Sequence, residues 1–244
     1  MKKITFYTME TSPYAAKVYY CLIYKQLIFE TVYVNPFKMK QQLPFGKQVP
    51  VLTIDDKSFA NSTDICLWLD EEFPDKPLVP ANLKKQVADF DHWISETLIP
   101  LSFYSVYPTT RNLTGVYNAW KLGRTVKKTT QGEFSSTVVL LWPLVLRYAP
   151  FIKKIYKNIK KRGSISKVRE ICLDHLEKSL GPFLIKNEHI TIVDIFVYSQ
   201  FALPRKLGLL DSNYFLNRPK IRDWYQKMER LLVENTMPKS QNIV

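Results

Sequence analysis

The chain has 244 residues, of which 46% are hydrophobic, and it carries 35 Lys and Arg against 22 Asp and Glu, a formal net charge of +13. That length and apolar content suffice for a substantial core and for two domains. The three cysteines, Cys21, Cys66 and Cys172, are isolated, and His92, His175 and His189 have no ligand spacing. This excludes a disulfide framework, suggests no metal site and points to a reducing compartment. Met1-Lys2-Lys3 leads straight into a strand pattern without a cleavable apolar segment, so the cytoplasm is the expected location.

In chain order, Ile4 to Thr8 reads as a strand, and Thr11-Ser12-Pro13-Tyr14 as a turn whose proline suits the first position of a helix. Ala15 to Lys25 is then helical, with Val18, Cys21 and Leu22 on one face, and Ile28 to Val34 is a second strand. Cys21 lies on that apolar face, which suits core packing better than redox chemistry. A loop through Gly46 leads to Val49-Pro50 and the strand Val51 to Ile54; a short strand near Ser58-Phe59 and a helix from Ser62 to Phe73 follow. The order predicts a thioredoxin-like mixed sheet with helices on its faces. In such a fold a cis proline before a strand aims the backbone of the preceding residue, here Val49, at an extended peptide ligand. The next helix N-terminus offers free N–H groups and a positive dipole end to a carboxylate.

Phe73-Pro74-Asp75-Lys76-Pro77-Leu78-Val79-Pro80 holds three prolines and marks a boundary, giving domains at 1–76 and 83–244. The second is expected to be all helical: from Asn82 or Leu83 to about Tyr104 with a bend at Pro100, then Ser166 to Leu180, Thr191 to Leu207 and Pro219 to Glu234. An insertion at about 111–165 separates the first two of these helices. Between Arg111 and Arg169 there are fourteen Lys and Arg and one acid, Glu133, so the remainder of the chain is formally neutral. Within it the apolar run Thr137 to Leu146, containing Trp142, precedes Lys153, Lys154, Lys157, Lys160, Lys161 and Arg162. Residues 134–162 therefore suit an anionic membrane surface, at about 1 kcal/mol per basic residue and about 1.5–3 kcal/mol per buried apolar side chain. The run is too short and too interrupted for a transmembrane span of about 20 residues. The alternative is a core helix with a solvated basic end. Nucleic acid is not expected, since no reader motif or stacking surface accompanies the charge.

Four motifs in order resemble the glutathione S-transferase superfamily: Ser12-Pro13-Tyr14 with Lys17-Val18, Val49-Pro50 with Ser62, Ile190-Thr191-Ile192-Val193-Asp194, and Arg218-Pro219 through Trp224 to Met228. The branch most similar by Lys3 to Tyr7, Val34-Asn35-Pro36, Val49 to Leu52 and Trp93-Ile94-Ser95 is prostaglandin E synthase type 2. Its Cys-Pro-x-Cys loop is replaced here by Ser12 and Ala15, so its thiol-dependent isomerase chemistry does not carry over.

The resemblance implies glutathione as a substrate, with no metal, and its conjugation to an apolar small-molecule electrophile. Ser12 is then the donor that activates the bound thiol, with Tyr7 as the alternative catalytic residue. Ser12, Tyr14, Val49, Pro50, Asn61, Ser62 and Thr63 are the expected glutathione-binding residues. Val49 pairs with the cysteinyl backbone, and Ser62 with the Ser62 and Thr63 backbone holds the γ-glutamyl carboxylate. Asn61 stands where the family usually has an acid or Gln, which weakens binding by about 1 kcal/mol. The second substrate is expected under Tyr104 and Tyr107. A different class of function also fits: a catalytically silent transferase fold serving membrane-surface or protein interaction. A homodimer is left open.

Overall fold

The structure is a computed structural model that describes residues 2–105 and 113–233. Its first part runs β1 (Ile4–Thr8), α1 (Pro13–Tyr24), β2 (Glu30–Tyr33), α2 (Met39–Gln42), β3 (Val51–Ile54), β4 (Lys57–Ala60) and α3 (Ser62–Glu72). The strands form one mixed sheet in the order β2-β1-β3-β4, with β1 parallel to β2 and antiparallel to β3. Tyr7 pairs with both Val32 and Val51, and β4 closes the far edge with Ala60 opposite Val51. This is the small α/β, thioredoxin-like unit expected from the element order. Val18, Cys21 and Leu22 of α1 and Ile65, Cys66 and Leu69 of α3 are fully buried with Phe6, Leu52 and Ile54 of the sheet.

Local chemistry explains where the boundaries differ from expectation. Helix α1 starts at Pro13 rather than Ala15, because a proline at the first helical position gives up an N–H that has no helical partner anyway. β2 is the edge strand and begins only at Glu30; Ile28 stands exposed outside the ladder. The short helix α2, in the loop read as leading to Gly46, was not anticipated.

The proline-rich stretch 73–80 is stapled rather than slack. Lys25, nearly buried, donates from Nζ to Asp70 Oδ1 at 2.5 Å and to the carbonyls of Phe73, Asp75 and Lys76. Asp70 in turn accepts from the N–H groups of Leu78 and Val79 at 2.8 and 2.9 Å. Leu78 is fully buried, and its carbonyl accepts from Ile192 N.

Beyond this stretch all described regular structure is helical: α4 (Lys84–Trp93), a π-helical turn (Ile94–Leu98), α5 (Ile99–Ser105), α6 (Leu113–Thr129), α7 (Ser136–Tyr148), α8 (Pro150–Arg162), α9 (Ile165–Ser179), α10 (Ile192–Lys206) and α11 (Pro219–Val233), with short 3-10 turns between. Just before Pro100, where a bend was expected, the helix passes through a π turn. Proline has no N–H to offer the carbonyl of Glu96, four residues back. That carbonyl accepts from Arg162 Nη2 at 3.3 Å, while Arg162 Nη1 donates to Thr97 Oγ1 at 2.9 Å.

Helix α10 is the buried centre of the helical part, and every residue from Ile192 to Pro204 is buried. Its start is the capping box read from the sequence: Asp194 Oδ2 accepts from Thr191 N and Thr191 Oγ1, both at 2.9 Å. Asp194 Oδ1 also accepts from Leu184 N and from Trp224 Nε1 of α11. The insertion resolves into α6, α7 and α8. Gly123 lets α7 close onto α6, since a Cβ there would lie 2.9 Å from Trp142 Cγ. Trp142 and Phe134 also pack against Phe37 of the first part, with Phe37 stacked on Phe134 at 5.7 Å between centroids.

Candidate functional site

Helix α3 begins beside the turn that carries Val49-Pro50, whose peptide bond is cis. The ladder of β3 starts only at Val51, so Val49 and Pro50 lie outside it. Asn61 is the N-cap of α3, with a positive φ of 74° that asparagine tolerates better than most residues, and its Oδ1 accepts from Thr63 N at 3.0 Å. Ser62 is therefore the first helical residue, and it is buried with its side chain at the mouth of the helix.

These residues share a cleft of about 890 Å3 with residues of α4. Six of the eight residues singled out from the sequence line it: Tyr14, Val49, Pro50, Asn61, Ser62 and Thr63. Two do not. Ser12 is 8% exposed and caps α1, its Oγ accepting from Ala15 N at 3.2 Å. Tyr7 is half-buried on β1 beside Val34, Leu43 and Val51, in a satellite cluster that also includes Val49. Tyr107 and the side chain of Tyr104 lie outside the described residues.

The structure adds a group that the sequence named only within a motif, without a role at the site. Lys17, one turn into α1, has a fully buried side chain, and its Nζ lies 2.7 Å from Asp91 Oδ1 and 3.1 Å from Thr63 Oγ1. The ammonium also sits 3.8 Å from the centroid of the Phe196 ring of α10. Thr63 Oγ1 donates onward to Asp91 Oδ2 at 2.8 Å. Asp91, Thr63 and Phe196 all line the cleft, so a buried cation and its carboxylate stand directly behind the N-terminus of α3. One signal was available: Lys17 is the single charged residue in α1, between the apolar neighbours Ala16 and Val18.

The electrostatics sort the candidate groups. The Tyr14 phenol is pushed up by burial, and further by Glu96 and Asp91, so it stays a hydrogen-bond donor at neutral pH. Burial raises the Cys21 thiol well above its ordinary value, and its contact with Cys66 adds to this. A thiol held protonated and fully buried fits the core role expected of it. Cys172 is likewise raised by burial, to about 11. Among the described residues no group of three or more His, Cys, Asp or Glu side chains is arranged to hold a metal ion. The arrangement that remains is a cleft with strand-entry backbone outside the ladder, a helix N-terminus for an anion and a buried cation behind it.

Residues 6–77 match the family model for the N-terminal domain of glutathione S-transferase. Over 91 residues the chain is 34% identical to pyrimidodiazepine synthase of Drosophila melanogaster, covering 34% of this chain and 37% of that one. Over 95 residues it is 35% identical to glutathione S-transferase 1 of Dianthus caryophyllus, covering 36% of this chain and 43% of that one. The chain thus spans about two fifths of the length of the curated relatives it matches. The solved glutathione S-transferase of Methylobacterium radiotolerans, in complex with glutathione sulfonate, superposes over 99% of this chain and 98% of its own, with a TM-score of 0.58 at 18% identity. At that identity the likeness is one of fold. The motif-level similarity to prostaglandin E synthase type 2 has no counterpart among these matches.

Proposed function

From a chain that has the glutathione S-transferase fold and whose residues 6–77 match the family model of that family's N-terminal domain, we infer glutathione binding and thiol transfer in the cleft of Tyr14, Val49 and Ser62. The observation that carries this reading is the convergence of Val49, Pro50, Asn61 and Ser62 on one wall. Val49, outside the ladder, offers its backbone to the cysteinyl residue of an extended tripeptide. The γ-glutamyl carboxylate takes the hydroxyl and N–H of Ser62 at the positive end of α3. Thr63 is a poor direct ligand, because its N–H serves Asn61 and its hydroxyl serves Asp91. The unit of 1–76 supplies these groups, and 83–244 closes the cleft from the other side.

The bound thiol must be ionised to react. With an ordinary pKa of about 8.5 only about 3% is thiolate at pH 7, and a shift to about 6.5 raises this to roughly three quarters. Ser12 is the proposed donor. A hydroxyl has one proton and two lone pairs, so Ser12 can accept from Ala15 N and still donate to sulfur. The electrophile in this reading is an apolar small molecule. A second reading, a silent transferase fold, is favoured by the near-burial of Ser12 off the cleft wall.

Calorimetry with glutathione tests the reading. Ser62→Ala removes a hydrogen bond to a charged group worth about 1.5–3 kcal/mol, so affinity should fall roughly ten- to a hundredfold. An unchanged affinity in a folded Ser62→Ala protein refutes the assignment. Glutathione binding without any turnover of an aromatic electrophile selects the silent fold.

A further inference from the structure

Helix α7 has two apolar sides, and the fold uses only one of them. Val139 and Trp142 face α6 and are buried. Leu140, Leu141, Leu144, Val145 and Tyr148 are all exposed, Leu140 at 70% and Tyr148 at 62%. At helical spacing these five form one continuous stripe of two adjacent ridges. A helix lying on the surface of a core normally presents polar residues there. None of the described helices is long and apolar enough to cross a membrane, and the thirteen residues of α7 span only about 20 Å.

The charge beside the stripe is of one sign. No Asp or Glu occurs from Phe134 to Arg169. Helix α8, joined to α7 through Ala149 alone, turns Ile152 and Ile159 inward and leaves Lys153, Lys154, Lys157, Lys160 and Lys161 exposed. None of these five lysines forms an ion pair among the described residues. Basic and apolar groups meet at Tyr148, whose ring lies 5.8 Å from the Arg147 guanidinium and 5.3 Å from Lys153 Nζ.

We propose that α7 and α8 form a docking surface for an anionic lipid membrane, with the leucine stripe entering the headgroup region and the α8 lysines meeting the lipid phosphates and carboxylates. Charge complementarity selects this occupant. A second copy of the chain would bring two unpaired basic helices together, whereas an anionic bilayer neutralises the lysines and accepts apolar side chains at one boundary. Attachment is peripheral and reversible, and it does not depend on what the cleft binds.

Co-sedimentation of the full chain with vesicles tests this, comparing phosphatidylcholine alone with phosphatidylcholine and phosphatidylserine in equal parts. The wild type should pellet with the second and remain in solution with the first. Binding should weaken when salt is raised from about 0.1 M to about 1 M, which shortens screening from about 10 Å to about 3 Å. Each lysine near the surface contributes roughly fivefold in partitioning, so changing the five α8 lysines to Gln should abolish detectable binding. Leu140→Ser with Leu144→Ser, at exposed positions that leave the core intact, should lower binding at least tenfold at constant charge. The proposal is overturned by wild-type protein that stays in the supernatant with anionic vesicles, by binding that the Gln variant or the Ser variant retains in full, or by a dimer that the Ser variant dissociates in the absence of vesicle binding.

Discussion

Replacing Asp91 by Ala should destabilise the protein more than removing both Asp91 and its partner Lys17. The ammonium of Lys17 has no exposed surface, and its partners are Asp91 at 2.7 Å, Thr63 Oγ1 at 3.1 Å and the Phe196 ring. Asp91→Ala leaves that cation buried with one neutral acceptor and a ring face, a loss of about 3–5 kcal/mol. Lys17→Met removes the charge, and the thioether remains against the Phe196 ring. The carboxylate of Asp91, 13% exposed at the cleft, keeps the Thr63 hydroxyl and gains water, so this change costs about 1–3 kcal/mol. In the double variant no buried charge is left unpaired. Its stability should therefore exceed that of Asp91→Ala, with a coupling of about 2 kcal/mol or more between the two sites. Urea denaturation of the four proteins measures this. With a slope of about 3 kcal/mol/M, Asp91→Ala lowers the midpoint by about 1–1.7 M and the double variant recovers part of it. Simple additivity, with the double variant the least stable of the four, refutes the view that Lys17 is an ion held by Asp91.

Two further outcomes are expected. Ser12→Ala should lose about 0.5–2 kcal/mol of stability with the cap of α1, whereas Ser12→Gly should lose only a few tenths; if the hydroxyl serves the thiol, both lose turnover equally while glutathione affinity stays nearly constant, and full turnover in Ser12→Gly moves the role elsewhere. Burial against Phe90 and Trp93, and secondarily Lys178, holds the His175 imidazole below its ordinary value of 6.5. The fold therefore favours the neutral ring: this stability is fully present above about pH 6.5 and is lost as the pH falls through the lower folded value, so His175→Gln should flatten the acid limb of a stability profile, and an unchanged limb counts against it.

Where a residue's partners are close in sequence, the sequence was readable. The limits of β1 and β3, the start of α3 and the Thr191–Asp194 capping box rest on strand alternation, turn residues and a three-residue spacing. Most of the candidate cleft was legible for the same reason, since Val49, Pro50, Asn61 and Ser62 all sit at element boundaries. The Lys17–Asp91 pair joins residues 74 apart, so the sequence marked Lys17, as a motif residue and a lone charge in α1, but not its partner. Ser12 was legible both as a cap and as a donor; that its oxygen turns back toward Ala15 depends on how the turn from Met9 closes, with Ser12 N donating to Met9 O. The insertion gave its charge but not its three helices, because the buried side of α7 depends on Gly123 lying across from Trp142.

The insertion is held at several separated places, and α6 is tied through Asn118 to the N–H and carbonyl of Leu210. Near the start of α7, Phe37 stacks on Phe134 and meets Trp142 edge-on, and at the end of α8 Arg162 donates to the Glu96 carbonyl and to Thr97 Oγ1. A body pinned at one point can swivel, but one pinned at several that do not lie on one line has lost that freedom. Whatever α7 and α8 come to rest against therefore sets the attitude of the whole molecule, including the direction in which the cleft opens. Loosening one of these contacts, by Phe37→Ala or Arg162→Gln, would leave the helices formed and the remaining contacts, among them Leu122 and Val126 against Leu203 and Leu207, still fixing the cleft relative to them.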